Sequence, residues 1–134
     1  MSEPLSEREG AALWLAYAEE DLAAGRVLMG AADIQPRIAA FHFQQAAEKA
    51  LKCVLSRVGS EIPYTRDLAK LALMVDAAGI SARAPWHEFL PSMSGYAAVT
   101  RYPGERPPIT PADLILAESV APALVDRAAA LVRG

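Results

Sequence analysis

Few side chains in this chain are suited to acid–base or metal chemistry. Its 134 residues include only two histidines, His42 and His87, and one cysteine, Cys53. One cysteine can form neither an internal disulfide nor a thiolate zinc cluster, and two histidines offer little material for another metal site. We therefore predict no metal site and no cofactor. His42 is either a catalytic residue or a histidine at the surface or in an interface.

Cations concentrate in one segment, residues 37–57. It carries four cations and one anion, a local charge of +3 in a chain whose net charge is −3. Such a segment concentrates the positive field on one face of the molecule. Two interpretations remain open, a solvated helix face and a surface that contacts phosphate or a partner. The cations are Arg37, Lys49, Lys52 and Arg57, and the anion is Glu48.

Composition sets the class of protein. The chain has a mass of 14.3 kDa, with 53% apolar and 22% charged residues, which predicts one ordered domain over residues 1–134. The acidic net charge argues against wholesale nucleic-acid binding, although a local patch remains open. We find neither a secretory signal pattern nor an apolar run of the roughly 20 residues that span a membrane. These features predict a cytoplasmic protein that makes no membrane contact.

Alanine-rich segments between Gly/Pro islands predict five helical segments. Ser6, Pro36, Thr65 and Thr110 are typical of helix starts, and Gly79 is typical of a left-handed helix end. Pro91 must bend or restart the fourth helix, and a proline at 122 should kink the last. The fold class predicted is all-α, an up-and-down bundle of four or five helices. The predicted segments are 6–29, 36–58, 65–78, one from residue 85 onward, and 110–132.

The helical periodicity places polar residues on two surfaces. Asp21 falls within the stripe of helix one that holds Trp14, Tyr17 and Ala18, where a carboxylate needs a cation or several donors. The position of Asp21 therefore predicts one of two roles. Asp21 forms a structural ion pair, with Lys49 or Arg101, or it forms one wall of a polar pocket. Helix two has a polar arc of His42, Gln45, Glu48, Lys49, Lys52 and Ser56.

The run from Phe41 to Lys52, FHFQQAAEKALK, resembles the signature of the HEPN family (higher eukaryotes and prokaryotes nucleotide-binding domain). Three further pieces agree in order and spacing: Trp14 to Leu22, the TRDL sequence at 65–68, and the RYP sequence at 101–103. The resemblance covers about residues 14–132. It implies a helical bundle that forms a homodimer. It also implies a small nucleotidyltransferase partner, with which the protein would form a toxin–antitoxin pair.

The resemblance also implies an alternative activity, metal-independent RNA cleavage by an Arg-x(4–6)-His motif. Arg37 and His42 have that spacing, but five helical steps place them about 140° apart if both are helical. Arg66 stands where relatives often have histidine, and no histidine follows Arg101. Neither guanidinium can serve as the base, although each can hold a phosphate. These four residues are therefore weak catalytic candidates.

The remaining candidates suit ligand or partner binding. Gln44 and Gln45 point about 100° apart, so we expect one to bond across helices and the other to face a groove or a partner. Glu48, Lys49 and Lys52 either pair structurally or contact a ligand. Tyr96, Arg101 and Tyr102 are suited to stacking on a base and holding phosphate, or to anchoring a loop. We favour a module that binds nucleotide, RNA or a partner, over an endoribonuclease toxin or a purely structural dimerisation module.

Overall fold

The computed structural model describes residues 5–80, 88–96 and 108–134, and those residues form helices and loops without a strand. This confirms the all-α prediction. The helices are α1 (Glu7–Met29), α2 (Pro36–Arg57), α3 (Leu68–Ala77), α4 (Leu90–Ser94) and α5 (Pro111–Arg133). No helix within the described ranges is long and apolar enough to cross a membrane.

Local capping explains where most helices begin. The Ser6 side chain accepts a hydrogen bond from the Glu9 backbone N–H at 3.1 Å. Thr110 and Asp113 form a reciprocal capping box at the start of α5. These bonds satisfy N–H groups that the first turn of a helix leaves without a partner. Both starts were predicted from the sequence and are confirmed.

The predicted start of α3 at Thr65 is wrong. The helix begins at Leu68, because the Asp67 carboxylate accepts from the Lys70 backbone N–H at 3.1 Å and acts as the cap. The Thr65 hydroxyl instead accepts from the Asp67 backbone N–H. Residues 65–67 therefore stay outside the helix. Gly79 does adopt the predicted left-handed conformation at the other end, with φ of +87°.

Helix α4 is short, and Pro91 lies in its first turn. Of the two predicted effects of Pro91, a bend or a restart, the described residues show a helix that starts there, because proline lacks an N–H that a first turn does not use. The predicted portion before residue 88 lies outside the described residues. Pro122 lies inside α5, where the kink stays a prediction.

Helix α2 is the centre of the bundle and contacts α1, α3, α4 and α5. Thirteen of its 22 residues are buried, so it is enclosed on more than one side. Small side chains allow α1 to approach closely, since Gly25 lies against the fully buried Phe43 ring. The buried stripe of α1 is Ala11, Leu15, Ala18, Leu22 and Gly25. Tyr17, expected in this stripe, is half exposed, and Trp14 is half-buried.

Candidate functional site

The polar residues of α2 divide into two neighbouring groups. The first, which we call the Asp21 cluster, joins α1 to α2 through Asp21, His42 and Lys49. The second is a groove between α1, α2 and the segment that precedes α3. We call it the α2 groove, and it is lined by Trp14, Gln45, Glu48, Lys52, Tyr64, Thr65 and Arg66.

In the Asp21 cluster one carboxylate holds two side chains of α2. Its Oδ1 lies 3.0 Å from His42 Nδ1, and its Oδ2 accepts a hydrogen bond from the Lys49 ammonium. His42 and Lys49 are seven residues apart and so share a face of α2. The Asp21 side chain is only 15% exposed. The carboxylate in the stripe of α1 therefore has cationic and hydrogen-bonding partners, and Lys49 was one of the two expected partners.

Gln44 and Gln45 play different roles, as their angular separation predicted. Gln44 is fully buried and donates its amide N–H to the Arg66 backbone carbonyl at 3.3 Å. Gln45 donates to the Gln44 side-chain oxygen at 2.6 Å and lines the α2 groove. The buried glutamine thus fixes the position of the segment before α3, which forms the opposite wall of the groove.

Glu48 and Lys52 are buried in the bundle, so a solvated face is the wrong interpretation for this pair. The two side chains are 8% and 7% exposed and bond at 3.1 Å between Glu48 Oε2 and Lys52 Nζ. The ammonium also lies 5.5 Å from the centre of the Trp14 ring. A charge removed from water needs such partners. The other oxygen, Glu48 Oε1, is buried without a hydrogen-bond partner among the described residues.

The α2 groove has a volume of about 520 Å³. Its base is α2, one aromatic side chain comes from α1, and the other wall is the segment 64–66. Tyr64 is fully exposed at the rim, and the Arg66 side chain is exposed beside it. Arg66 forms no ion pair with the described residues, in contrast to Lys49 and Lys52. The groove therefore combines aromatic surface, hydrogen-bonding groups and, as far as the described ranges show, a cation outside any ion pair.

The remaining sequence candidates lie elsewhere. Arg37 is exposed in the first turn of α2, and because that turn is helical it faces away from His42, as the 140° separation indicates. Tyr96 is 5% exposed and does not line the groove. Burial, and to a lesser degree the nearby Asp113, raises the pKa of its hydroxyl. Arg101 and Tyr102 lie outside the described residues.

The sequence interpretation missed three lining residues, Trp14, Tyr64 and Thr65. Trp14 was placed in the stripe of helix one and Thr65 at a helix start, and Tyr64 was not a candidate, yet all three line the groove. An aromatic residue in a short polar linker between Pro63 and Thr65 is the signal that could have identified Tyr64. Cys53 is buried, and burial raises its pKa to about 11. No group of three or more His, Cys, Asp or Glu side chains in the described ranges is arranged to hold a metal ion.

Comparison with protein-family models gives one family for this arrangement. A model of the HEPN domain matches residues 11–133. That range contains the Asp21 cluster, the whole of α2 and the α2 groove. Comparisons with curated proteins and with solved structures gave no match. Because the family match spans nearly all of the 134 residues, the chain belongs to the HEPN domain family.

Proposed function

We propose that this chain is a nucleotide- or RNA-binding module whose ligand occupies the α2 groove. The observation that carries the proposal is the composition of the groove. Trp14 and Tyr64 offer aromatic surface, and Arg66 offers a guanidinium that pairs with no carboxylate of the described residues. Bases stack on aromatic side chains, and arginine holds phosphate through two parallel hydrogen bonds. The volume, about 520 Å³, falls in the range of small-molecule sites.

The paired lysines have a different role in this proposal. Lys49 and Lys52 are engaged by Asp21 and Glu48, so they shape the groove and its neighbourhood rather than attract phosphate from a distance. Arg66 is then the residue expected to contact the phosphate. The Gln44 side chain bonds to the Arg66 backbone carbonyl, so the backbone that carries the Arg66 side chain is held in place at the rim.

The test uses a fluorescein-labelled oligoribonucleotide of mixed sequence and fluorescence anisotropy. Arg66→Ala should weaken binding at least about tenfold, the scale of a charge-assisted hydrogen bond. Arg26→Ala is the matched control, because Arg26 is an exposed arginine outside the groove that pairs with Glu118 at 3.8 Å. Equal affinities for the two variants, or no binding by the wild type, would contradict the proposal.

The resemblance supports a wider role, a homodimer that acts in the cytoplasm with a minimal nucleotidyltransferase as a toxin–antitoxin pair. Leu13 and Tyr17 are neighbours on α1, 44% and 48% exposed, and such apolar side chains suit an interface between proteins. Sedimentation of the purified chain tests the dimer, and co-purification with the neighbouring gene product tests the pair. A dimer that binds neither RNA nor that product would favour the structural module.

Metal-independent RNA cleavage is a second candidate, favoured by the Asp21–His42 contact. A carboxylate at Nδ1 orients an imidazole and leaves Nε2 to take or give a proton. Incubation of RNA with the wild type and with His42→Ala, in EDTA, tests it. Cleavage by the wild type alone would support a nuclease, and no cleavage by either would leave the binding module.

A further inference from the structure

We propose that a second copy of this chain docks on the outer face of α1, with the two α1 helices antiparallel about a two-fold axis. This inference rests on the proposed homodimer and names its surface and its residue pairs. Residues on this face recur at alternating intervals of four and three, the spacing at which one helix packs along another. They form a surface that we call the α1 seam: Leu13, Tyr17, Glu20, Ala24 and Val27.

The α1 seam lies on the side of α1 opposite the buried stripe of that helix. Leu13 and Tyr17 are 44% and 48% exposed, and Val27 is 73% exposed. Contiguous exposed apolar surface marks sites where proteins bind one another. The one charged residue of the seam is Glu20, which is exposed at its centre. A partner must therefore cover apolar side chains at both ends and offer a donor in the middle.

The helices next to α1 leave this face open. Glu19 and Asp21 come directly before and after Glu20, so their side chains point about 100° to either side of it. Asp21 lies 3.0 Å from His42 on α2, and Glu19 bonds to Arg133 on α5 at 2.9 Å. The flanks of α1 are thus held by α2 and α5, and the seam between them projects toward solvent, where another helix can lie along it.

The α1 seam complements itself when a second copy runs antiparallel to it, about a two-fold axis that passes between residues 18 and 19. Such an axis brings the same surface of both copies together, so each contact occurs twice. In this register Tyr17 faces Glu20 of the second copy, and a hydroxyl donor meets a carboxylate acceptor. Leu13 faces Ala24 of the second copy, and a large side chain meets a small one. One surface therefore supplies both halves of each pair.

The ends of the seam and Glu20 together fix the register. At the ends, Val27 faces Gly10 of the second copy, which again pairs a large residue with a small one. A shift of one heptad in one direction places Glu20 against Ala24 and removes its donor. A shift in the other direction carries Val27 past the start of α1. A parallel pair places Glu20 against its own copy, where like charges repel.

Charge changes beside the two-fold axis test the surface, and sedimentation equilibrium of the full chain measures the dimer. Tyr17→Glu places carboxylates opposite each other on both sides of the axis, so it should raise the dimer dissociation constant at least about tenfold. Adding Glu20→Lys gives each new carboxylate a facing ammonium and should restore the dimer. Leu73→Glu is the matched control, because Leu73 is 60% exposed on α3, which packs on α2 and α4. It should leave the dimer unchanged.

A cross-link tests the register. Leu13→Cys and Ala24→Cys are made as separate variants and mixed under mild oxidation, and the mixture should form a disulfide between the two chains. Each variant alone should not form one, because the two copies of residue 13, or of residue 24, would lie about 16 Å apart along the helix axes, beyond the reach of a disulfide. The native Cys53 is buried and does not compete.

The outcomes separate this inference from the function on which it rests. A dimer that Tyr17→Glu leaves intact would overturn the α1 seam and keep the homodimer. Failure of Glu20→Lys to restore the dimer would overturn the pairing of Tyr17 with Glu20, and a cross-link in either variant alone would overturn the antiparallel register. A wild type that stays monomeric at millimolar concentration would overturn both the seam and the homodimer, whereas RNA binding at the α2 groove is measured separately with Arg66→Ala.

Discussion

Replacement of Gly25 by alanine tests how closely α1 and α2 pack beneath the polar residues. A Cβ atom at Gly25 would lie 2.7 Å from Phe43 Cε1, 2.9 Å from Cδ1 and 3.1 Å from Cζ. Phe43 has no exposed surface, so its ring cannot move into solvent. Overpacking of this kind costs about 1–3 kcal/mol, and the first of these distances indicates the upper part of that range.

Alanine also has an intrinsic advantage over glycine of about 1 kcal/mol in a helix interior. The net loss of unfolding free energy for Gly25→Ala should therefore be about 1–2 kcal/mol. Gly10→Ala is the matched control in the same helix. Its Cβ would meet only the Ser56 hydroxyl, at 2.8 Å, and a terminal atom of this kind can rotate away. Gly10→Ala should be neutral or slightly stabilising.

Urea unfolding followed by circular dichroism measures both variants. The double variant Gly25→Ala with Phe43→Leu should lose less free energy than the sum of its single variants, because a smaller side chain removes the clash. Gly25→Ala as stable as the wild type would refute the close approach of α1 to α2. A strictly additive double variant would refute Phe43 as the cause.

Further expectations concern charge, capping and ionisation. Asp21→Asn should lower the free energy of unfolding, measured with urea, by about 1–3 kcal/mol. This loss should be smaller than the loss on breaking a fully buried ion pair, because Lys49 is 25% exposed. Adding Lys49→Met should recover part of the loss. Thr110→Ala should cost about 1 kcal/mol by the same assay, because it removes the capping box of α5. Burial raises the pKa of Cys53 to about 11 from 9.0, so its contribution to stability is complete below pH 9 and is lost between pH 9 and 11. The midpoint temperature of thermal unfolding should therefore fall less between pH 9 and pH 11 for Cys53→Ala than for the wild type. Binding of single-stranded RNA through Arg66 alone should give a slope of log K against log salt near −0.7, since one phosphate is neutralised.

Local signals in the sequence predicted most of the helix boundaries. Ser6, Pro36 and Thr110 act within one helical turn, so the chain around them decides where a helix starts. The start of α3 was wrong because Thr65 and Asp67 both lie in the TRDL sequence, and each can accept a backbone hydrogen bond. Which side chain caps a helix depends on the path of the linker, and that path is fixed by distant contacts such as Gln44 with Arg66.

The candidate site was predicted less completely for a related reason. A helical wheel separates an apolar face from a polar arc, and it treats the polar arc of an amphipathic helix as exposed. Around α2 that rule fails, because Trp14 and the segment 64–66 cover the polar arc and enclose Glu48 and Lys52. The Lys49 contact with Asp21 was one of the expected alternatives, since a carboxylate in an apolar stripe needs a cation. Tyr64 lies outside the helices, so helical periodicity does not identify it, and only its aromatic side chain in a short linker marks it.

The charge balance of α2 also changes once its neighbours are in place. The segment 37–57 has a formal charge of +3, yet Asp21 from α1 engages Lys49, and Glu48 engages Lys52 within the helix. These pairs neutralise the middle of α2, which leaves Arg37 and Arg57 toward its ends and Arg66 at the groove. The ligand proposed for the α2 groove would therefore meet individual donors and acceptors rather than a broad positive field. An affinity that depends on a few specific contacts, rather than on a broad positive field, is therefore what we expect of the proposed binding module.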